Sequence, residues 1–264
     1  MASGRSLRFI ADTIPSWFAP TAVGPDAIEG HAVVPAGIGV GRTVADLRIK
    51  LDAGIVDVAE TTPGTVFPAD CPERHINSDG SFCVGYGAGE VILTRDDAIV
   101  WWGLVEEYLR LQRIAARTRR WPARKAIAHG KAGPHQIRAI EAACELGLED
   151  EYYEMLDGEE KWFSCPFPRL NEAGDGLRNG RLPCPVGCLR KGQAVMRRSC
   201  GRTSWVVQLI REERLRRERE RAFAEANRLL ERACCGAMAD CPRVGTTHAG
   251  STSREAGPKI SRRN

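Results

Sequence analysis

The chain of 264 residues contains no apolar run near the about 18 residues that a membrane-spanning helix requires. Its longest, residues 98–104, is interrupted by Gly103. The N-terminus, MASGRSLRFIADTIPSW, lacks an apolar block ahead of a small-residue cleavage site, so no secretory signal is expected. A phosphate-cradling loop is also missing: GYGAGE at 85–90 has the glycines, but no Lys-Ser or Lys-Thr follows and no buried strand precedes it. Neither HExxH nor GxSxG occurs. These absences argue against a membrane protein, a secreted disulfide miniprotein, a nucleotide-hydrolysing P-loop protein, a zinc protease and a serine hydrolase. The expected compartment is the cytosol.

What is present is globular composition, with 43% hydrophobic and 27% charged residues. The net charge of +4 hides an asymmetry. Residues 1–100 carry 7 Lys and Arg against 13 Asp and Glu, whereas residues 101–264 carry 31 against 21. A split of this kind points to two units with different surfaces, the basic one suited to nucleic acid or an acidic protein. Ten cysteines are many for a reducing compartment, where disulfides do not persist. Cys165, Cys184, Cys188 and Cys200 fall within 36 residues, and Cys234, Cys235 and Cys241 lie near the end. Clustered cysteines in such a compartment more often bind metal.

Along the chain, strict alternation of Ala45, Leu47, Ile49 and Leu51 with charged residues predicts a half-buried antiparallel strand. GHAVVPAGIGVG upstream is a weaker strand, and the prolines of TTPGTVFPADCPE make a loop. Thr94 as N-cap with Asp97 three residues on predicts a helix start near Asp96, with Ala98, Trp101, Trp102, Val105, Tyr108, Leu109 and Gln112 on its inner stripe. A second helix is expected from Pro134, burying Ile137, Ile140 and Cys144 and capped by Gly147, followed by a short acidic one over 149–156. Residues 158–202 hold too few periodic apolar positions to build a core. Residues 204–235 form one long charged helix, with Leu215, Ala222, Ala226, Leu229 and Ala233 as a narrow stripe for a partner or for its own domain. The expected division is 1–157, 158–242 and a disordered tail over 243–264.

The chemistry concentrates in Glu73-Arg74-His75-Ile76-Asn77-Ser78-Asp79-Gly80-Ser81-Phe82-Cys83-Val84. A cysteine just after an Asp-Gly turn is accessible, and positive neighbours favour its thiolate. This stretch resembles the active-site loop of the ubiquitin-conjugating enzymes and their bacterial relatives. There, His-Pro-Asn is followed by seven residues, a cysteine, an aliphatic residue and then a tryptophan-bearing helix. Cys83, Val84 and Trp101 or Trp102 take those places here, while Glu73-Arg74 replace His-Pro and His75 stands at the asparagine. The resemblance covers about residues 1–157. It implies an α+β ubiquitin-conjugating (UBC-like) fold, a small antiparallel sheet followed by helices, with the cysteine-rich extension and long helix appended. It also implies a thioester of a ubiquitin-like protein on Cys83, loaded from a ubiquitin-activating-like enzyme and passed to a target amine without a cofactor.

Similar bacterial proteins occur in anti-phage (CBASS-type) operons, which makes a cyclic-nucleotide synthase a candidate target. His75 can donate a hydrogen bond, accept the amine's proton, or merely bind loop backbone, and His129 in AHGKAG is a second catalytic candidate. Cys165, Cys184, Cys188 and Cys200 form the candidate tetrathiolate for a structural Zn²⁺, with Cys234, Cys235 and Cys241 as substitutes or a second set. The rival reading is a non-catalytic zinc-binding adaptor whose arginines hold nucleic acid or an acidic protein. The region 190–232 offers only Trp205 and Phe223 for stacking bases, which weighs against that reading.

Overall fold

The computed structural model describes residues 3–35, 42–161, 163, 168–178, 184, 187, 189–194, 200–230, 232–239 and 241–243. A short helix absent from the expectations opens the chain, α1 (Ser3–Ala11), and buries Leu7 and Ile10. Four strands follow: β1 (Phe18–Val23), β2 (Ala27–Pro35), β3 (Arg42–Asp52) and β4 (Ile55–Glu60). They form an antiparallel meander in the order β1-β2-β3-β4. The alternation read from the sequence holds: Thr43, Ala45, Leu47 and Ile49 of β3 point inward while their neighbours face solvent.

Helix α2 (Arg95–Thr118) covers the inner face of the sheet. Its start is the expected one, with Thr94 and Asp97 forming a reciprocal capping box. Trp101, Trp102, Val105 and Leu109 pack against Ile28, Leu47, Ile49 and Val58, and the Trp102 indole donates to the Ile10 carbonyl at 3.1 Å. This α+β arrangement of a small sheet followed by helices is the expected fold class.

A second core lies beyond residue 130. It joins α3 (Gly133–Leu146) and α4 (Glu149–Leu156) to the first half of α5 (Thr203–Leu229). The boundary expected at 157 therefore falls within this cluster. The buried face of α3 is also not the expected one. Ala139, Ala142 and Ala143 face α5, whereas Ile137 and Cys144 are exposed and Ile140 is only partly covered. One residue of offset rotates a helical face by about 100°, and small side chains permit the closer approach of backbones.

Helix α5 ends at Leu229, six residues before the expected end, and its anchoring residues are Val206, Val207, Leu209 and Ile210 rather than the predicted stripe. Leu229 itself is 79% exposed. Further along, α5 is secured by polar groups: buried Glu213 accepts from the Tyr152 hydroxyl at 2.8 Å and from Arg216 and Arg217. A two-stranded ribbon, β5 (Leu189–Arg190) and β6 (Gln193–Ala194), accompanies these helices. Among the described residues no helix is long and apolar enough to cross a membrane. Of the segment expected to be a disordered tail, only Arg243 is described, and it is buried.

Candidate active site around Cys83

Between β4 and α2 the chain forms a tightly bonded loop. Cys71 and Ile76 exchange backbone hydrogen bonds of 3.2 and 3.0 Å around a single 3-10 turn, Pro72–Arg74. His75 closes that turn in the left-handed region, with φ 53°. For a non-glycine residue this conformation costs free energy and persists only where the surroundings fix it. Here they do. The His75 amide donates to the Pro72 carbonyl at 2.7 Å, and the His75 carbonyl accepts from the Cys83 amide at 2.8 Å and the Tyr108 hydroxyl at 3.1 Å.

Buried Arg74 is held from α2 as well. Its guanidinium donates to the side-chain and backbone oxygens of Gln112 at 2.7 and 2.8 Å, and the Gln112 amide returns a bond of 2.6 Å to the Arg74 carbonyl. The expected Asp-Gly turn follows. Asp79 accepts from the Ser81 amide and hydroxyl, Gly80 takes φ +84°, and the Phe82 amide ties the loop to the Val58 carbonyl of β4. Beyond Cys83, the backbone at Gly89 presses so closely against β4 that the Val56 carbonyl leaves no room for a Cβ.

These constraints set Cys83 at the surface, beside a cleft of about 620 Å³. His75 and His129 line the same cleft, so the three expected catalytic residues are brought together. Crowding by protein atoms pushes the Cys83 thiol above its ordinary value, opposed by a hydrogen bond from the Gly85 amide. Burial, reinforced by the nearby His129 charge, holds His75 down to about 3, so it is neutral at physiological pH.

His129 has the opposite character. Its Nδ1 lies 2.7 Å from the Glu220 carboxylate and its Nε2 2.9 Å from the Pro72 carbonyl. Two acceptors require two N–H donors, and only the imidazolium supplies both. Burial alone would lower its pKa, but the Glu220 hydrogen bond and charge, the Glu73 charge and the Pro72 carbonyl outweigh burial and raise it. The ring is stacked between His75, at 5.0 Å, and Phe223 of α5, at 4.7 Å.

The remaining wall is one the sequence did not reveal. Phe223, Asn227, Leu230 and Arg243, all remote in sequence, line the cleft opposite the loop. After α5 the chain returns across the back of the loop. Arg232 and Arg243 both bond to the Asp70 carboxylate, at 3.0 and 2.7 Å, and Arg243 also donates to Asn227. Cys235 comes within 3.0 Å of Cys71, sulfur to sulfur, in a cluster with Cys241, Met238 and Ala115.

Of the expected metal set only two members are described. Cys184 is buried and Cys200 half-buried, the latter against the second core, while Cys165 and Cys188 lie outside the described residues. Among the described residues no group of three His, Cys, Asp or Glu stands in metal-holding geometry.

Residues 17–123 match the family model of a prokaryotic E2 domain, the ubiquitin-conjugating type. Residues 128–243 match a cysteine-rich domain that lies C-terminal to E2 domains. No curated protein and no solved structure matches the chain. In this order along one polypeptide, the two matches make the chain similar to E2 domains that are followed by a cysteine-rich C-terminal extension.

Proposed function

We propose that the protein accepts the C-terminal acyl group of a ubiquitin-like protein on Cys83 and passes it to a target amine. The observation that carries this reading is Cys83 itself, exposed beside a cleft that it shares with a neutral and a cationic histidine. In the first step the Cys83 sulfur attacks the thioester carbonyl presented by an activating enzyme. A new C–S bond forms, the old one breaks, and the proton from Cys83 leaves with the activating enzyme's thiol. In the second step the amine nitrogen attacks the same carbon, the bond to Cys83 breaks, and the amine's proton passes to the departing thiolate or water.

The residues divide this work by their protonation. With its conjugate acid near 3, His75 is a poor proton acceptor, and its role is that of a neutral N–H donor toward developing negative charge on the carbonyl oxygen. His129 has both nitrogens committed, so it positions the loop and adds positive charge to the cleft wall. The raised thiol pKa of Cys83 makes its sulfur a slower leaving group, which preserves the thioester until an acceptor arrives.

The partners in this reading are an activating enzyme and a ubiquitin-like protein. The proposal further places the pair in a bacterial anti-phage system in the cytoplasm, with a cyclic-nucleotide synthase as candidate target. It assigns a structural Zn²⁺ to Cys165, Cys184, Cys188 and Cys200. The all-sulfur donor set suits that ion, and ligation would stiffen a segment with little core.

The test is co-expression with an activating enzyme and ubiquitin-like protein encoded beside the gene, followed by non-reducing electrophoresis. A thiol-sensitive adduct on wild type, absent from Cys83→Ala and replaced by a thiol-resistant one on Cys83→Ser, is the expected result. An activating enzyme that charges itself but never loads Cys83 overturns the reading in favour of a non-catalytic adaptor.

A further inference from the structure

Apart from the Cys83 cleft, between α5 and residues 168–178, lies a concavity of about 630 Å³, within the size range of small-molecule sites. Its lining is Arg169, Arg178, Arg214, Arg217 and Arg221, with Pro168 and Leu170. Among the described residues no carboxylate and no aromatic ring lines it.

The convergence of charge is built by secondary structure. Leu170 and Leu177 form an antiparallel bridge, and both pack against the second core. The Arg178 amide donates to the Arg169 carbonyl at 2.9 Å, so the two arginines stand opposite each other, one residue beyond the leucines. Side chains alternate across an extended pair. The leucines that face the core therefore set Arg169 and Arg178 on the outer side. Asn171 fixes the turn between them, its amide donating to the Gly176 carbonyl at 2.8 Å and its side chain to Asp175 at 2.7 Å. From the facing helix, Arg214, Arg217 and Arg221 occur at spacings of three and four, which places them on one side of α5.

Like charges opposed across an extended pair, and like charges three and four apart on a helix, each oppose folding. Arg217 is compensated by Glu213. Among the described residues Arg169, Arg178 and Arg214 make no ion pair. Repulsion of this kind, held in a fixed concavity, is relieved by a polyanion. Guanidinium groups match phosphate oxygens in pairs of parallel hydrogen bonds.

We propose that this concavity is a binding site for a run of adjacent phosphate groups, as carried by a nucleic-acid backbone or a free polyphosphate. Guanidinium contacts to phosphate oxygens carry no base information, so recognition is independent of base identity. The site stands apart from Cys83, so its occupancy does not depend on the acyl-transfer reading.

The test uses the full chain and two probes, fluorescein-labelled oligothymidylate of twelve nucleotides and unlabelled tripolyphosphate. Anisotropy is expected to report oligonucleotide binding that weakens steeply with salt and is competed by tripolyphosphate. The pairs Arg169→Gln/Arg178→Gln and Arg214→Gln/Arg221→Gln should each weaken it by about tenfold. Each should also reduce the slope of log K against log salt by about 0.7 for every phosphate left without a guanidinium. All four residues are exposed, so these variants should fold, and circular dichroism checks it. Arg48→Gln, on an exposed position of β3, should bind as wild type does. Tripolyphosphate binding measured by calorimetry without oligonucleotide binding would assign the site to a free polyphosphate. Binding of both probes would assign it to the shared phosphate chemistry, including a nucleic-acid backbone. The proposal fails if wild type binds neither probe, or if the cavity variants bind both probes as tightly as wild type.

Discussion

His129 and Glu220 join the two halves of the molecule through one short contact, 2.7 Å from Nδ1 to carboxylate, across 91 positions of sequence. The contact fixes the charge of His129, and with it the stack on which His75 rests. Its pH dependence follows from the raised pKa of His129 in the folded state. The stabilisation is fully present below the unfolded value near 6.5 and is lost as pH rises through the higher folded value. Glu220→Gln should remove this alkaline decline and cost about 1–2 kcal/mol at pH 6. Urea unfolding of both proteins between pH 6 and 9 measures it, and parallel curves would contradict it.

His75 governs the acid side with the opposite sign. Its folded pKa, near 3, lies below the unfolded one, so the unfolded chain binds the extra proton. Stability should therefore fall as pH drops below about 6.5, by at most about 1.4 kcal/mol per pH unit from this group. His75→Asn should flatten that limb in the same unfolding series. If Asn supplies the donor that the neutral imidazole supplies, Cys83 charging should survive the change.

Gln112 is the counterpart of a buried guanidinium. Replacing it with Leu leaves Arg74 without its side-chain acceptor, and the Arg74 carbonyl without its amide donor. We expect a loss of about 3 kcal/mol, a lower Tm and slower thioester formation as the loop before Cys83 loosens. Thermal denaturation and a single-turnover charging assay give the two readouts. A variant as stable as wild type would show that solvent takes over these bonds.

The sulfur pair at Cys71 and Cys235 should be chemically unequal. A hydrogen bond from Cys71, outweighing burial and assisted by the Ala237 amide and the Arg74 charge, lowers Cys235 to about 6, while the same pairing pushes Cys71 up. Iodoacetamide at pH 7 should alkylate Cys235 well before Cys71, as read by peptide mass mapping. Cys71→Ala should slow that alkylation at pH 7, because the thiolate loses its donor.

For the proposed zinc, elemental analysis of the purified chain should give about one equivalent, falling in Cys184→Ala and in Cys200→Ala. Chelator should lower the Tm of wild type and leave that of the metal-free variants unchanged. A metal-free wild type would remove zinc from the account.

Much of the fold was legible because it depends on neighbours in sequence. The alternation in β3, the Thr94–Asp97 capping box, the Gly147 cap and the helix over 149–156 are all local signals. The resemblance in the loop pointed to Cys83 and His75, and both line one cleft. The misreadings came where packing decides. Alanines form the buried face of α3, contrary to the preference for the bulkier Ile137 and Cys144, because α5 approaches closely. Helix α1 is too short for its period to stand out. Phe223, Asn227 and Arg243 carry no motif, and their place in the cleft exists only once α5 and the segment after it reach the loop.

That convergence has a consequence for inheritance. A cleft whose walls come from both halves ties their evolutionary histories. Transplanting the N-terminal half onto another tail would strip Cys83 of Phe223, Asn227 and Arg243. Recombination between relatives should therefore be tolerated only when the crossover keeps Asp70 with Arg232 and Arg243, and His129 with Glu220. Substitutions at these positions should travel in pairs across lineages.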